Sequence, residues 1–206
     1  MRVGSNMSDD DVQRAAAAVR RGEAVVYPTE TVYGMGADAT NADAVERVFD
    51  IKGRDRDKPL SAGFPDVDAA LEFVVADDRE EAFMRRFLPG PVTVVVERRD
   101  SLPDALVAGK DRVGVRVPDH ELARALFRAA GTPVTATSAN RSGTGSITHP
   151  SQLSDEIRDA VAVVLDGGTT PGTESTVVDP GRGVVHRRGA MADDIEAWLD
   201  EHAADA

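Results

Sequence analysis

Short valine-rich runs alternate with helical segments along this 206-residue chain. Typical runs are "PVTVVVERR" and "PVTATSA", while "NADAVERVFDIKG" has helical periodicity and begins at Asn41, a candidate N-cap. Strands that alternate with helices predict an α/β fold. The sequence "STVVDPGRGVV" places two strands around a Pro-Gly turn, so we expect a hairpin and a single twisted sheet of mixed direction.

The other helical segments predict a single domain. "DDDVQRAAAAVRRG" follows the candidate cap Ser8 and ends at Gly22, and four later segments also predict helices: "VDAALEFVV", "REEAFMRRFLPG", "DHELARALFRAAG" and "DDIEAWLDEHA". There is no internal repeat and no linker, and the length suits one core. We therefore predict one domain over residues 9–200, with flexible termini at 1–8 and 201–206.

Composition excludes several classes of function. The sequence has no cysteine, which rules out disulfides, thiol catalysis and cysteine-ligated zinc. It has no secretory signal and no apolar run near the roughly 20 residues that span a bilayer, so we expect a cytoplasmic protein. The net charge of -12 comes from dispersed acidic residues, a pattern typical of halophilic archaea and unfavourable for general nucleic-acid binding.

One basic stretch, "IKGRDRDKPL", stands out against this acidity. It holds Lys52 and Lys58, two of only three lysines in the sequence, with Arg54 and Arg56 between them. These cations could form ion pairs with the aspartates beside them, or they could bind an anionic ligand. An ion-paired loop would not require lysine in a chain that otherwise uses arginine, which favours anion binding.

Four polar segments lie at the ends of predicted strands: "YPTETVYGMGAD", "TATSANRSGTGS", "GTESTVVD" and "VHRRGA". Ligands of open α/β sheets bind where strands end in loops, and hydroxyls with backbone N–H groups there can hold phosphate or an amino acid. Taken singly, each segment could equally be a capping turn or an ordinary strand. The sequence has no Walker loop, no GxGxxG after a strand and no GxSxG motif.

Seven segments, in this order from Tyr27 to Ala190, resemble the threonylcarbamoyl-AMP synthase family with its YrdC-like fold: "YPTETVYGMGADATN", "FDIKGRDRDKPL", "LPGPVTVVV", "VGVRVPDH", "PVTATSANRSGTGS", "ESTVVD" and "RRGA". The resemblance implies an α/β sheet with flanking helices around a deep cationic cleft. It also implies a nucleotidyltransferase that joins L-threonine, bicarbonate or CO₂, and ATP into threonylcarbamoyl-AMP and releases pyrophosphate. That product serves the t6A modification of tRNA at adenosine 37.

The resemblance also assigns site residues. Lys52, Arg54 and Lys58 would act on the nucleotide phosphates, and Thr31, Arg116 and Ser175 would hold threonine. The ATP-binding set comprises Arg54, Lys58, Ser138, Asn140, Ser146 and Arg187. No metal site on the protein is expected, because Mg²⁺ would arrive bound to ATP. Arg56 is not in the family pattern and is predicted to pair with its Asp neighbours at the surface.

The resemblance further implies partners. A KEOPS-type transferase complex would receive the product, and this chain would contact tRNA only weakly. Gly63 stands where many relatives have a threonine-binding His, and the chain resembles the short single-domain form.

Two other hypotheses about function involve proteins with this fold. One is a double-stranded RNA or tRNA-binding module, against which the acidic composition argues. The other is the carbamoyl-transfer domain of hydrogenase maturation proteins, which carry cysteine zinc motifs that this sequence lacks.

Overall fold

A computed structural model describes residues 9–202 of the chain. Residues 1–8, which include the candidate cap Ser8, and residues 203–206 lie outside the described range. The predicted flexible C-terminal segment 201–206 begins within it, and there Glu201 and His202 end the last helix. The helices are α1 (Asp9–Arg20), α2 (Ala42–Lys52), α3 (Val67–Leu71), α4 (Asp78–Phe87), α5 (Asp104–Val107), α6 (Glu121–Ala130), α7 (Asp155–Ala160) and α8 (Ala192–Glu201). The strands are β1 (Val25–Tyr27), β2 (Gly34–Gly36), β3 (Ser61–Gly63), β4 (Val74–Val75), β5 (Val92–Arg98), β6 (Arg112–Arg116), β7 (Val134–Ser138), β8 (Val163–Val164), β9 (Thr176–Asp179) and β10 (Val184–Arg187).

The strands form one mixed sheet in the order β10-β9-β5-β6-β3-β7-β2-β1-β8, with β4 also paired to β5. The pairs β1–β8, β3–β6 and β5–β9 are parallel, and the other pairs are antiparallel. The predicted hairpin is confirmed, because β9 and β10 pair antiparallel across the Pro-Gly turn. The predicted mixed α/β fold is therefore confirmed.

Local signals predicted most helices correctly. Asn41 caps α2 as expected, since its side chain accepts hydrogen bonds from the backbone N–H groups of Asp43 and Ala44. The helix predicted for "VDAALEFVV" is wrong in its second half. There the helix ends at Leu71, and Val74–Val75 pairs with Glu97 and Arg98 of β5, a distant partner that suits two β-branched residues.

Strand β2 consists of Gly-Met-Gly, although glycine normally weakens a strand. A Cβ at Gly34 would lie 2.8 Å from the ring of Tyr27, and a Cβ at Gly36 would lie 2.4 Å from the carbonyl oxygen of Thr135. Both glycines are therefore required by the close approach of neighbouring strands. This requirement explains why a glycine-rich stretch belongs to the sheet.

The two faces of the sheet differ in what covers them. In β5, Val92, Val94 and Val96 belong to the larger apolar core, which includes residues of α2, α4, α5 and α8. The intervening residues Thr93 and Val95 point to the opposite face, because side chains alternate along a strand. Helices α1 and α6 cover part of that second face with a smaller core, and the remainder stays open as a cleft.

Within residues 9–202, no helix is both long enough and apolar enough to span a membrane.

Candidate active site

The open part of the sheet forms the floor of a central cleft of about 1020 Å³. Residues from β1, β2, β3, β5, β6, β7, β9 and β10 line it, together with the segments that precede or follow these strands. Its cationic side chains are Arg54, Lys58, Lys110, Arg112, Arg116, Arg182 and Arg187, and its carboxylates are Asp57, Glu174 and Asp179. The cleft therefore collects positive charge inside a chain whose formal net charge is -12, which favours an anionic ligand.

Arg54 and Lys58 form one cationic wall of the cleft. The guanidinium of Arg54 donates from Nε to the carbonyl of Lys58 and from Nη2 to the carbonyl of Pro59, both at 3.0 Å, so it closes the basic loop on itself. Burial lowers the pKa of Arg54 from its usual value. Lys58 is exposed and lines the cleft. This loop places a compact ammonium group beside a fixed guanidinium, an arrangement suited to phosphate oxygens.

Arg56 has the surface role that the sequence predicts. Its guanidinium pairs with Glu46 at 2.9 Å and with Asp50 at 2.6 Å, and Arg56 is absent from the residues that line the central cleft. The loop thus separates its cations, with Arg56 on the protein surface and Arg54 and Lys58 on the cleft.

Lys52 lies behind the cleft wall. Its side chain is buried, and the ammonium donates to the main-chain carbonyls of Ser138 and Asn140. The Lys52 carbonyl in turn accepts from the N–H of Ser142 at 2.8 Å. This geometry fixes the turn after β7 against the end of α2. A direct contact between Lys52 and phosphate stays a prediction, and the observed contacts give Lys52 a positioning role.

We expect burial of the Lys52 ammonium to make protein stability depend on pH. Burial lowers its pKa from 10.5 to about 8, so between these values the unfolded chain holds a proton that the folded chain has released. The free energy of unfolding therefore gains a contribution that rises with pH across this interval. We expect the difference in unfolding free energy between wild type and Lys52→Met to increase over the same interval in urea titrations. A constant or falling difference would contradict the lowered pKa.

The predicted ATP-binding residues after β7 differ in exposure. Ser138 lines the cleft. Asn140 is buried, and its Nδ2 donates to the carbonyls of Arg141 at 2.8 Å and Thr144 at 2.6 Å, which shapes the turn. Ser146 is half-buried and donates to a carboxylate oxygen of Glu174 at 2.7 Å. The structure therefore brings Ser138 to the cleft and gives the Asn140 amide group contacts within its own turn.

The three predicted threonine-binding residues all line the cleft, and the contacts of Arg116 with Glu30 and the Val92 carbonyl place it beside the segments that hold Thr31 and Thr93. Ser175 Oγ lies 3.0 Å from Thr93 Oγ1, and Thr31 Oγ1 lies 2.8 Å from Thr29 Oγ1. Arg116 is buried and also lines the cleft. Two hydroxyls and a guanidinium are a suitable set for an amino acid that carries both a carboxylate and a hydroxyl.

The hydrogen bonds of Arg116 leave part of its guanidinium free for a ligand. Nη1 donates to the carbonyls of Gly90 at 2.6 Å and Val92 at 2.8 Å, and Nη2 donates to Glu30 Oε1 at 3.0 Å. A guanidinium has five N–H donors. The two others, on Nε and Nη2, have no acceptor within the described part of the chain, and they can serve a carboxylate in the cleft.

The sequence interpretation did not assign a role to Arg112, at the opposite end of β6. Its Nη2 donates to Glu80 at 2.7 Å, to Asp179 at 2.8 Å and to the carbonyl of Val95 at 2.9 Å. Both carboxylates are almost fully buried, so Arg112 is compensated by two negative charges. This end of the cleft is therefore a weaker anion site than the wall of Arg54 and Lys58.

Glu30, Lys110 and Glu174 also belong to the site without having been assigned by sequence. Glu30 lies in the polar segment after β1 that the sequence singled out, and its role follows from its ion pair with Arg116, from which it is separated by 86 positions. Lys110 is the third lysine of the chain and lines the cleft. The rarity of lysine in this sequence could have identified Lys110, as it identified Lys52 and Lys58.

Gly63 is the last residue of β3, and a side chain has no room there. A Cβ at this position would lie 2.8 Å from the ring of Phe127 and 3.2 Å from the carbonyl oxygen of Val134. Phe127 fills the space that a side chain at this position would need. The packing therefore explains why glycine stands where many relatives have His.

Comparison with known proteins places the chain in a family. The family model for Sua5, YciO and YrdC proteins, described as "Telomere recombination", matches residues 17–189. The threonylcarbamoyl-AMP synthase of Bacillus subtilis is 40% identical over 196 residues, which are 93% of this chain and 53% of that protein. The threonylcarbamoyl-AMP synthase of Pyrococcus abyssi is 38% identical over 180 residues, with shares of 86% and 53%. The chain thus spans about half the length of these relatives.

Solved structures give the same result. The structure of P. abyssi Sua5 complexed with L-threonine has a TM-score of 0.88 at 36% identity, covering 96% of this chain and 59% of that one. Escherichia coli YciO has a TM-score of 0.81 at 25% identity, with coverages of 90% and 92%. The family model, which matches most of the chain, and the identity to these relatives show that this chain belongs to the Sua5/YciO/YrdC family.

Proposed function

We propose that the chain synthesises threonylcarbamoyl-AMP from L-threonine, bicarbonate or CO₂, and ATP. The observation that carries this proposal is the arrangement of the cleft, where Arg116 offers two free N–H donors at one end and Arg54 with Lys58 forms a separate cationic wall. Two distinct anions can therefore bind side by side. Relatives named threonylcarbamoyl-AMP synthase and a relative complexed with L-threonine support this assignment.

The reaction needs two steps that this cleft can assist. The uncharged amine nitrogen of threonine bonds to the carbon of CO₂, one C=O π bond opens onto oxygen, and the amine proton passes to solvent, which gives a carbamate. A carbamate oxygen then bonds to the α-phosphorus of ATP, and the bond to the β-phosphate oxygen breaks to release pyrophosphate. Negative charge accumulates on that leaving group, so fixed cations are the principal catalytic requirement.

Individual residues have defined roles in this scheme. Arg116 would bind the carboxylate of threonine, and the hydroxyls of Thr31 and Ser175 would orient its remaining polar groups. Arg54 and Lys58 would contact the phosphates and stabilise the departing pyrophosphate. Lys52 would act through the turn that presents Ser138. By this division, the substrate amine lies between the two sites, where the carbamate must form.

Magnesium would enter with the nucleotide. Among residues 9–202, no group of three or more His, Cys, Asp or Glu side chains is arranged to hold a metal ion. The polar side chains that line the cleft are mostly cationic or hydroxyl-bearing. Such side chains bind phosphate oxygens better than they bind Mg²⁺. When bound, Mg²⁺ would supply additional charge neutralisation on the triphosphate.

The product would leave for a transferase that modifies tRNA. A KEOPS-type complex is the partner that the family resemblance implies, and any contact of this chain with tRNA would be weak because its surface is acidic.

Product formation tests the proposed function. With ATP, L-threonine and ¹³C-bicarbonate together, we expect release of pyrophosphate and an adenylate that carries both threonine and the ¹³C label, detected by mass spectrometry. Omission of threonine or of bicarbonate is expected to abolish both signals, because the attacking carbamate cannot form. Pyrophosphate release that continues without threonine would contradict the proposal.

A further inference from the structure

Glu174, which lines the cleft, bridges the side chains of Ser146 and Arg187 in this structure. It lies just before β9, and its carboxylate accepts from Ser146 Oγ at 2.7 Å and pairs with Nη1 of Arg187 at 3.0 Å. Glu174 and Arg187 both line the cleft. Their side chains are about half exposed, at 46% and 47%. The contact therefore places a half-exposed negative charge at the cleft, on donors that a phosphate would also use.

Both partners of Glu174 belong to the ATP-binding set under the proposed function, on which this inference rests. The Ser146 hydroxyl has one hydrogen to donate, and Glu174 accepts it. The Nε and Nη2 groups of Arg187 donate to the carbonyl of Ser175, and Nη2 also reaches Ser175 Oγ. Few donors remain for a phosphate while Glu174 stays in place.

We propose that Glu174 competes with the nucleotide for Ser146 and Arg187, and that its carboxylate must withdraw before a triphosphate binds there. A carboxylate and a phosphate oxygen demand the same donors, and two anions held against one guanidinium repel each other. Removal of this carboxylate therefore strengthens ATP binding.

The surrounding backbone allows the side chain to move alone. The carbonyl of Glu174 accepts from the N–H of Ala190 at 3.0 Å, and Ser175 and Ala190 form a parallel bridge. A Cβ at Gly189 would lie 2.3 Å from the carbonyl oxygen of Glu174, which shows how closely these segments pack. The main chain is thus held, whereas the half-exposed carboxylate can rotate into solvent.

The opposite role predicts the opposite result. If Glu174 instead held Ser146 and Arg187 ready for the nucleotide, removal of its charge would weaken ATP binding. The sign of the change in ATP affinity therefore separates competition from positioning, and neither sign needs a measurement of turnover.

The test is calorimetric titration of ATP with Mg²⁺, without threonine, into wild type, Glu174→Gln and Glu81→Gln at one ionic strength. Glutamine keeps the shape of the side chain and removes its charge, so we expect the ATP dissociation constant of Glu174→Gln to fall about 5- to 10-fold. Glu81 also pairs with an arginine, Arg85, at 2.8 Å and is 40% exposed, but it lies outside the cleft lining. Its substitution removes the same charge, and we expect a change of less than about twofold in Glu81→Gln.

Three outcomes would overturn the inference. Unchanged or weaker ATP binding by Glu174→Gln would overturn it alone, and so would equal tightening in Glu81→Gln, which would reflect total charge. Failure of the wild type to bind ATP would overturn the proposed function together with this inference.

Discussion

Substitution of Arg116 by lysine is expected to raise the dissociation constant of L-threonine about 10- to 100-fold, the effect of losing charge-assisted hydrogen bonds to a carboxylate. Lysine keeps a positive charge beside Glu30 but cannot reproduce the planar set of donors that Arg116 offers. Alanine would be a poorer choice, because it would leave Glu30 without its buried cation and destabilise the fold. Calorimetric titration of threonine into the folded variant measures the change.

The control for Arg116→Lys is ATP binding in the same preparation. Arg116 lies with Thr31 and Ser175, so ATP affinity is expected to stay within about twofold of wild type. Threonine affinity that equals the wild-type value in a variant with wild-type thermal stability would remove Arg116 from the threonine site.

Loss of the cationic wall is the second large effect. We expect Lys58→Ala and Arg54→Ala each to reduce turnover at least about tenfold, because each removes a charge-assisted phosphate contact of roughly 1.5–3 kcal/mol. Lys58→Ala is the cleaner variant, since the Arg54 guanidinium also holds the carbonyls of Lys58 and Pro59. Initial rates of pyrophosphate release at saturating threonine measure the effect.

Arg56→Ala provides the matched control, because it removes a cation from the same loop. Arg56 pairs with Glu46 and Asp50 at the surface, and exposed pairs of this kind contribute little to stability. Its turnover is expected to remain within about twofold of wild type. Near-normal turnover in both Arg54→Ala and Lys58→Ala would place these two residues among the surface cations as well.

Local sequence signals predicted the parts of the fold that depend on neighbours in the chain. The Asn41 cap and the β9–β10 hairpin are short-range features, and both are confirmed. The strand at Val74–Val75 depends on β5, about 20 residues away, and periodicity could not reveal it. Strand β2 depends on its close approach to Tyr27 and Thr135. The low strand propensity of glycine predicts no strand there.

The candidate site shows the same division. The pairing of Arg56 with Asp50 was predictable because the two residues are close in sequence. The burial of Lys52 was not, because its acceptors are main-chain carbonyls near position 140 and carbonyls leave no mark in a residue pattern. Arg112 likewise depends on Glu80 and Asp179, which come from other elements. Positive charge and the rarity of lysine identified these cations from the sequence. Only the fold shows which of them face the cleft and which are buried.

The central claim is that one cleft holds threonine at Arg116 and the nucleotide phosphates at Arg54 and Lys58. Crossed calorimetric titrations test it most directly, with L-threonine and ATP each titrated into wild type, Arg116→Lys and Lys58→Ala. We predict that Arg116→Lys loses affinity for threonine and keeps that for ATP, while Lys58→Ala does the reverse. If each folded variant loses affinity for both ligands equally, the division of the cleft into two anion sites is contradicted. It is also contradicted if Arg116→Lys loses affinity for ATP and Lys58→Ala loses affinity for threonine.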